Sequence, residues 1–577
     1  MKKGRLKEKS WEIAAILLCV IVLSFGISQK EGYHMDELLS FELANGEFNP
    51  WIVPTQPQGR LAKFVENEIR GESFSETMGN LWSTCKDVVQ NRGNSKLLSY
   101  QADVYEEPVW IGAEEFSDYI TVDDKDAFNY VSVYFNVKDD NHPPLHFMLL
   151  HTVCSLFRGQ IKPFMGCVIN LTAAVGTMLL LMRLGRQFAC LFGIPDKARL
   201  SGILAALFYG LSTGAMACVL LIRMYGVLTF FCVAFFYICM QKWQHSGFEK
   251  KNFRLIAVTV LGFLTQYFFL FYCIFLFLTL AAGLLWKRRF RECLCLVRSM
   301  VIAAAAGILL FPFALSDVFS SSRGVEALEN LAAGVSGYGQ RLSAFLEILV
   351  SRTFGNLMWI LCAMGLCCAV WGLVCLQKKK KPLAEICLLF VPPVGYFFLA
   401  ARMSPYLVDR YIMPLFPFVC LWGALALVLW LGKLEGYFGN KKGIFAGTVC
   451  GICLLWQVLG LFDYDGSYLY RGYEKQEELS QEYASLPCIC VYEGVGYYEN
   501  LLEFTHYEKT LLVRLSELIE RRDRESVASL EQAVVLVKSE ADWEEVLTVM
   551  EEVYGLSLKQ ELLADSVHQD RIFLLGK

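Results

Sequence analysis

Apolar residues fill long, nearly uninterrupted runs from Trp11 to Phe462, broken by short polar or charged segments. The runs cover 11–28, 163–184, 200–221, 225–241, 254–269, 270–286, 297–315, 353–376, 383–400, 411–432 and 443–462. Most lie near the ~20 residues with which an α-helix crosses a hydrocarbon core, so the pattern predicts about eleven transmembrane helices. Pro143–Phe157 is apolar but shorter than a span. It opens on His142-Pro143-Pro144, and proline is tolerated in a first helical turn whose N–H groups lack partners. Counting it as a span would invert every later loop, so it reads as a helix lying along the outer membrane surface. After about Asp465 the pattern changes. Short β-type runs (Cys488–Tyr492, Ala533–Lys538, Arg571–Leu575) alternate with charged helical stretches (Leu515–Ser526, Asp542–Tyr554). That alternation predicts a small α/β domain with its own core. The expected organisation is therefore a transmembrane domain over 1–464, carrying a large loop at 29–162, and an α/β domain over 465–577.

Composition agrees with the pattern. Of 577 residues 55% are hydrophobic and only 19% charged, against about 25% charged in soluble domains. The net charge of −4 implies no nucleic-acid partner. Charge distribution carries more information than its sum. Basic breaks occur at Lys2–Lys9, at Arg183, Arg186, Lys197 and Arg199, at Lys250-Lys251 with Arg254, at Lys287-Arg288-Arg289, at Lys378–Lys381, and at Lys433, Lys441 and Lys442. They alternate with acidic or mixed segments: 29–162, the Arg223 turn, the Tyr267 turn, 316–352, 401–410 and everything after 462. The positive-inside rule then predicts a multi-pass plasma-membrane protein with a cytoplasmic amino terminus. The 29–162 loop and the carboxyl-terminal domain fall outside. Many of the 21 cysteines lie within apolar runs and read as small hydrophobes. Cys488-Ile489-Cys490 lacks a second ligand pair nearby and does not read as a zinc site.

Candidate chemistry gathers in the outer segments. Asp36-Glu37, in Tyr33-His34-Met35-Asp36-Glu37, follows the first span directly. Acids there suit a helix start, whose dipole they complement, and they equally suit a general base at the membrane surface. His142 follows Asp139-Asp140-Asn141 at the start of the short apolar helix, with His151 further along it; Asp140 also reads as a helix cap. Arg223, in Arg223-Met224-Tyr225, sits between two apolar runs. An arginine at the edge of hydrocarbon is costly and usually has an anionic partner or a snorkelling route. Arg323, near Glu326, and Arg410, in Asp409-Arg410-Tyr411, offer further guanidiniums suited to bidentate phosphate contacts, or to surface ion pairs. Tyr225 reads with Arg223 as a donor phosphate- or sugar-binding residue, while Tyr267 and Tyr411 suit the wall of a lipid-chain or acceptor cavity, although such aromatic residues are more often plain helix packing. The acid pair suits a bare base or a divalent ion. With no further acids at evident ligand spacing, the reading names no metal ligand and no required cofactor.

These pieces, with Asp140-Asn141-His142-Pro143-Pro144-Leu145-His146-Phe147, Gly262-Phe263-Leu264-Thr265-Gln266-Tyr267-Phe268 and Asp409-Arg410-Tyr411-Ile412-Met413-Pro414, spread in order over residues 33–414. In that combination the chain resembles the GT-C superfamily of membrane glycosyltransferases, in particular the protein mannosyltransferase-like branch that includes the aminoarabinose transferases of lipid A. The resemblance implies an all-α polytopic fold with juxtamembrane helices. It also implies transfer of a sugar, with inversion, from a polyprenyl-phosphate donor to an extracytoplasmic acceptor: a protein, a wall polymer or a lipid. Asp36 would then be the general base and Glu37 its support. Arg223 and Arg410 would hold the donor phosphate, with His142 near the phosphate or sugar. Position 266 is Gln where relatives often carry His, and the loop between Glu37 and His142 is longer than in many of them. The tail after about 465 matches nothing in the family. The rival readings are a flippase or transporter for lipid-linked sugars, disfavoured by the lack of a clear inverted repeat, and a glycan polymerase or ligase with the same donor chemistry.

Overall fold

The computed structural model describes residues 2–577 except 57–59, 92–93, 100–104, 320, 333–336, 356, 377–382 and 521–523; the basic cluster Lys378–Lys381 lies outside the described residues. The chain forms two compact units. The first comprises Met1–Gln29, Asp139–His146 and Gly166–Ser467; the second comprises Lys30–Lys138, Phe147–Met165 and Tyr468–Lys577. The last break between the units falls at 467/468. The 29–162 loop groups largely with the tail instead of with the spans.

The first unit is helical, and the protein is a multi-pass membrane protein. Among the described residues eight helices are long and apolar enough to cross a membrane, or ten if each of two bent pairs is one span. The eight cover Ser10–Ser28, Pro163–Leu191, Tyr225–Gln244, Phe269–Trp286, Phe290–Leu310, Leu383–Met403, Asp409–Tyr437 and Lys442–Phe462. The bent pairs are Pro195–Gly210 with Thr213–Leu220, at 56°, and Tyr338–Thr353 with Leu357–Leu366, at 100°. Ten candidate spans agree with the expected count of about eleven, and the remaining expected span, 254–269, corresponds to a shorter apolar helix, Phe253–Phe263, of 11 residues. It stops where side chains compete with the helical ladder: Thr265 Oγ1 donates to Leu261 O (2.8 Å) and Gln266 Oε1 accepts from Tyr267 N (2.6 Å). Small residues let spans approach closely. A Cβ on Gly202 would lie 2.4 Å from Met182 O, so the helices Pro163–Leu191 and Ala198–Gly210 meet backbone to backbone.

The second unit is built on a six-stranded sheet: β1 (Trp110–Gly112), β2 (Cys488–Tyr492), β3 (Lys509–Arg514), β4 (Gln532–Val537), β5 (Ser557–Leu563) and β6 (Arg571–Gly576), in the order β1-β3-β2-β4-β6-β5. Strands β3, β2 and β4 run parallel, while β1, β6 and β5 join antiparallel. Burial on both faces explains why β2 reads as a continuous apolar run. Ile489, Val491, Leu511, Val535, Met550 and Phe573 sit in one core. The tail is thus α/β as expected, but its edge strand β1 comes from the 29–162 loop, pairing Trp110 with Leu511. In the same unit the helix Met35–Asn45 buries Leu38, Phe41 and Leu43. Its end is pinned by neighbouring amides: Asn45 Nδ2 donates to Ile120 O (2.8 Å) and Asn136 Nδ2 to Leu43 O (3.2 Å).

Candidate active site

In the second unit the acid pair opens the helix Met35–Asn45, and the two acids have different surroundings. His34 is the N-cap: its Nδ1 accepts from Asp36 N (3.0 Å), while the Glu37 carboxylate accepts from His34 N (2.8 Å). This reciprocal box satisfies two of the orphan donors of the first turn. It also fixes the neutral His34 tautomer, because an Nδ1 that accepts leaves the proton on Nε2. Glu37 is fully buried and its Oε2 takes the Lys30 ammonium at 2.9 Å. The Asp36 side chain, in contrast, is 21% exposed. Of the two acids Glu37 is thus the buried, paired one and Asp36 the partly exposed one, and both take part in the helix start. Lower on the same helix, Glu42 is buried, with Ile52 N donating to Oε1 (3.2 Å). Burial pushes its carboxyl well above the ordinary range despite that bond.

The first unit brings together several of the expected site residues. Asp140, His142 and Arg223 form a chain: His142 Nδ1 is 2.9 Å from Asp140 Oδ2, and Arg223 Nη2 is 3.4 Å from His142 Nε2. A guanidinium only donates, so Nε2 accepts and the proton sits on Nδ1, facing Asp140. Burial pushes the Asp140 carboxyl up, but His142 and Arg223 more than offset it and hold it below its ordinary value. The neighbouring His146 is driven down to about 3 first by burial, then by the positive charge of Arg223. Arg223 is almost buried, and Asn170 fixes its turn by donating to Leu221 O (2.6 Å) and Arg223 O (3.2 Å). The next residue but one, Tyr225, packs edge-on against Tyr411 with centroids 6.1 Å apart.

Arg410 lies over the Tyr411 ring at 5.5 Å, in the 3₁₀ segment Asp409–Leu415. That segment is anchored on each side. Tyr396 Oη donates to Tyr411 O (2.8 Å), and Arg352 Nε pairs with Asp409 Oδ2 at 2.9 Å while its other nitrogens take both oxygens of Asp465. Two expected residues stand apart from this group. Arg323 pairs with Glu326 (3.0 Å) and the Tyr406 hydroxyl (2.9 Å), which is the surface ion pair that its sequence also allowed. Tyr267 gives its hydroxyl to Asp317 Oδ2 (2.5 Å), and Gln266 caps Tyr267 locally; position 266 therefore acts in the turn.

No family model matches the chain, and no curated protein does. Among solved structures, ArnT from Cupriavidus metallidurans bound to undecaprenyl phosphate aligns with a TM-score of 0.47 and 11% identity, over 75% of this chain and 88% of that one. The apo form of ArnT aligns at 0.45 and 12%, over 76% and 87%. The Archaeoglobus fulgidus oligosaccharyltransferase in complex with zinc and sulfate aligns at 0.37 and 12%, over 72% and 61%. Among the described residues of this chain, no three or more His, Cys, Asp or Glu gather as a metal-ligand set.

Sequence reasoning missed Lys30, Arg352 and Asn170. The first two had a usable signal. Each is a cation in a segment read as outer, where the positive-inside rule does not ask for one, and each proves to hold a buried acid.

Proposed function

We propose that the protein is an inverting glycosyltransferase of the GT-C kind in the plasma membrane. It moves a sugar from a polyprenyl-phosphate carrier to an acceptor hydroxyl on the extracytoplasmic side. The observation that carries this reading is the division of labour in the acid pair: a buried Glu37 neutralised by Lys30, beside an Asp36 left accessible on a pinned helix end. The acceptor oxygen attacks the anomeric carbon, the bond from that carbon to the phosphate oxygen breaks, and Asp36 takes the acceptor's proton. The polyprenyl phosphate leaves with the electron pair, and cationic donors stabilise the charge that develops on it.

Arg223 and Arg410 are the proposed donors to that phosphate. The 3.4 Å contact from Arg223 to His142 is long for a hydrogen bond, and a phosphate oxygen would replace it with a shorter, charge-assisted one. Tyr225 and Tyr411 belong to this donor side, and the amino terminus is cytoplasmic. The reading assigns no step to a metal. Its test is Asp36→Asn in purified protein in lipid: transfer should vanish while binding of the lipid-linked donor persists. Retained transfer would remove Asp36 from the role of base.

A further inference from the structure

The segment Tyr468–Tyr473, at the start of the α/β tail, wraps the residues that lead into the Asp36 helix. Leu469 O accepts from Glu31 N (2.9 Å) and Gly32 N (3.4 Å), and Gly472 N donates back to the Glu31 carboxylate. Tyr468 O accepts from Lys30 Nζ at 2.6 Å, the same ammonium that neutralises Glu37. The Tyr470 ring faces that ammonium at 5.1 Å and the His34 ring at 6.3 Å. The fit leaves no slack, since a Cβ on Gly32 would lie 2.4 Å from the Tyr473 ring. Moreover, Tyr468 and Tyr470 both adopt positive φ, +68° and +51°, a conformation that tyrosine holds only where its surroundings impose it. Behind the segment Tyr470 stacks towards His568, at 6.0 Å, and Tyr473 donates to Glu503 Oε2 (2.7 Å), so it is tied to the body of the tail.

We propose that Tyr468–Tyr473 is a positioning strap for the reactive acid, with Tyr470 as its principal positioning residue, so that the α/β tail is part of the catalytic apparatus. The strap grips both groups that define the helix start: Lys30, which fixes Glu37, and His34, which caps Asp36. The inference rests on the reading of Asp36 as the base. A strap of this kind acts on the orientation of the acid and leaves the phosphate-binding arginines alone. Removing it lowers turnover and spares donor affinity.

The test uses the full chain in lipid with short-chain polyprenyl-phosphate sugars. Tyr470→Leu keeps apolar volume and removes the aromatic face; kcat should fall by about ten- to a hundredfold, as about 1 Å of misplacement does, with donor affinity unchanged. Tyr470→Phe should restore most of kcat, and Tyr470→Met replaces the leucine variant if that chain does not fold. An unchanged kcat, a parallel loss of kcat and donor affinity, or no rescue by phenylalanine would overturn the strap. Asp36→Asn run alongside separates the two failures. If it still transfers sugar, the base assignment falls; if it is dead while Tyr470→Leu turns over normally, only the strap falls.

Discussion

Lys30→Met is the sharpest perturbation of the buried pair beneath the site. Both side chains are at 0% exposure and 2.9 Å apart, so the substitution leaves a carboxylate in the interior with the His34 N–H as its remaining hydrogen bond of this box. Removing one partner of a buried pair costs about 3–5 kcal/mol, because the other charge stays desolvated. The lost Lys30 bond to Tyr468 O adds to that cost. Unfolding of a large membrane protein is not a reversible two-state process, so the quantity to measure is the half-life of thermal inactivation in lipid. At about 1.4 kcal/mol per tenfold, and with the contact absent from the unfolding transition state, the half-life should shorten by about a hundredfold or more. Glu37→Gln keeps an acceptor for the cap but strands the ammonium, and should also be costly. The double variant Lys30→Met/Glu37→Gln removes both charges and should recover to within about tenfold of wild type. Additive single effects, or a Lys30→Met half-life like that of wild type, would refute the pairing argument.

Three further outcomes follow from the geometry. Arg223→Ala should weaken donor binding by at least about tenfold, the scale of a charge-assisted contact, in a lipid-phosphate binding titration. Arg323→Ala should leave donor binding and transfer unchanged and cost no more than about 1 kcal/mol of stability, since its ion pair is at the surface. Glu503 carries a pH signature. Burial raises its carboxyl to about 7, against the opposing bonds from Tyr473 and Asn500, so the folded tail binds a proton that the unfolded chain releases near its ordinary value of 4.5. That contribution to stability is complete below about 4.5 and fades as pH rises through about 7. Hydrogen exchange of the β2 amides in the full-length protein should therefore quicken over this window beyond the intrinsic rate, and Glu503→Gln should flatten the trend.

Much of this fold is legible because apolar pattern and burial coincide. The run Cys488–Tyr492 was expected as a strand and is β2 with the same ends. The stretch Asp542–Tyr554 forms a helix capped by Asp542 and closed by Gly555 at φ +72°, both visible as residue types. Strand β5 was not legible: Ser557–Leu563 is a largely exposed edge strand whose polar residues follow solvent instead of a core. Strand β1 is three residues long and owes its existence to pairing with β3, some 400 residues on. The site divides in the same way. Arg223 stands out in the sequence by its cost beside hydrocarbon, whereas its contact with the His142 ring, which in turn meets Asp140, depends on the fold. Arg323 carried the same residue type in a similar segment and turned out to be a surface pair, a distinction that depends on neighbours and not on spacing. Lys30 was visible as a lysine out of place. Its second partner lies 438 residues away, which no local pattern can display.

In the proposed reaction Asp36 takes the acceptor's proton as sugar leaves a polyprenyl phosphate. The direct measurement offers short-chain polyprenyl-phosphate sugars one at a time to purified protein in lipid, with candidate acceptors, and follows free polyprenyl phosphate. Release should occur with at least one sugar, depend on acceptor and be abolished in Asp36→Asn. Tight binding of these lipids without release from any of them, or release that survives Asp36→Asn, would contradict it.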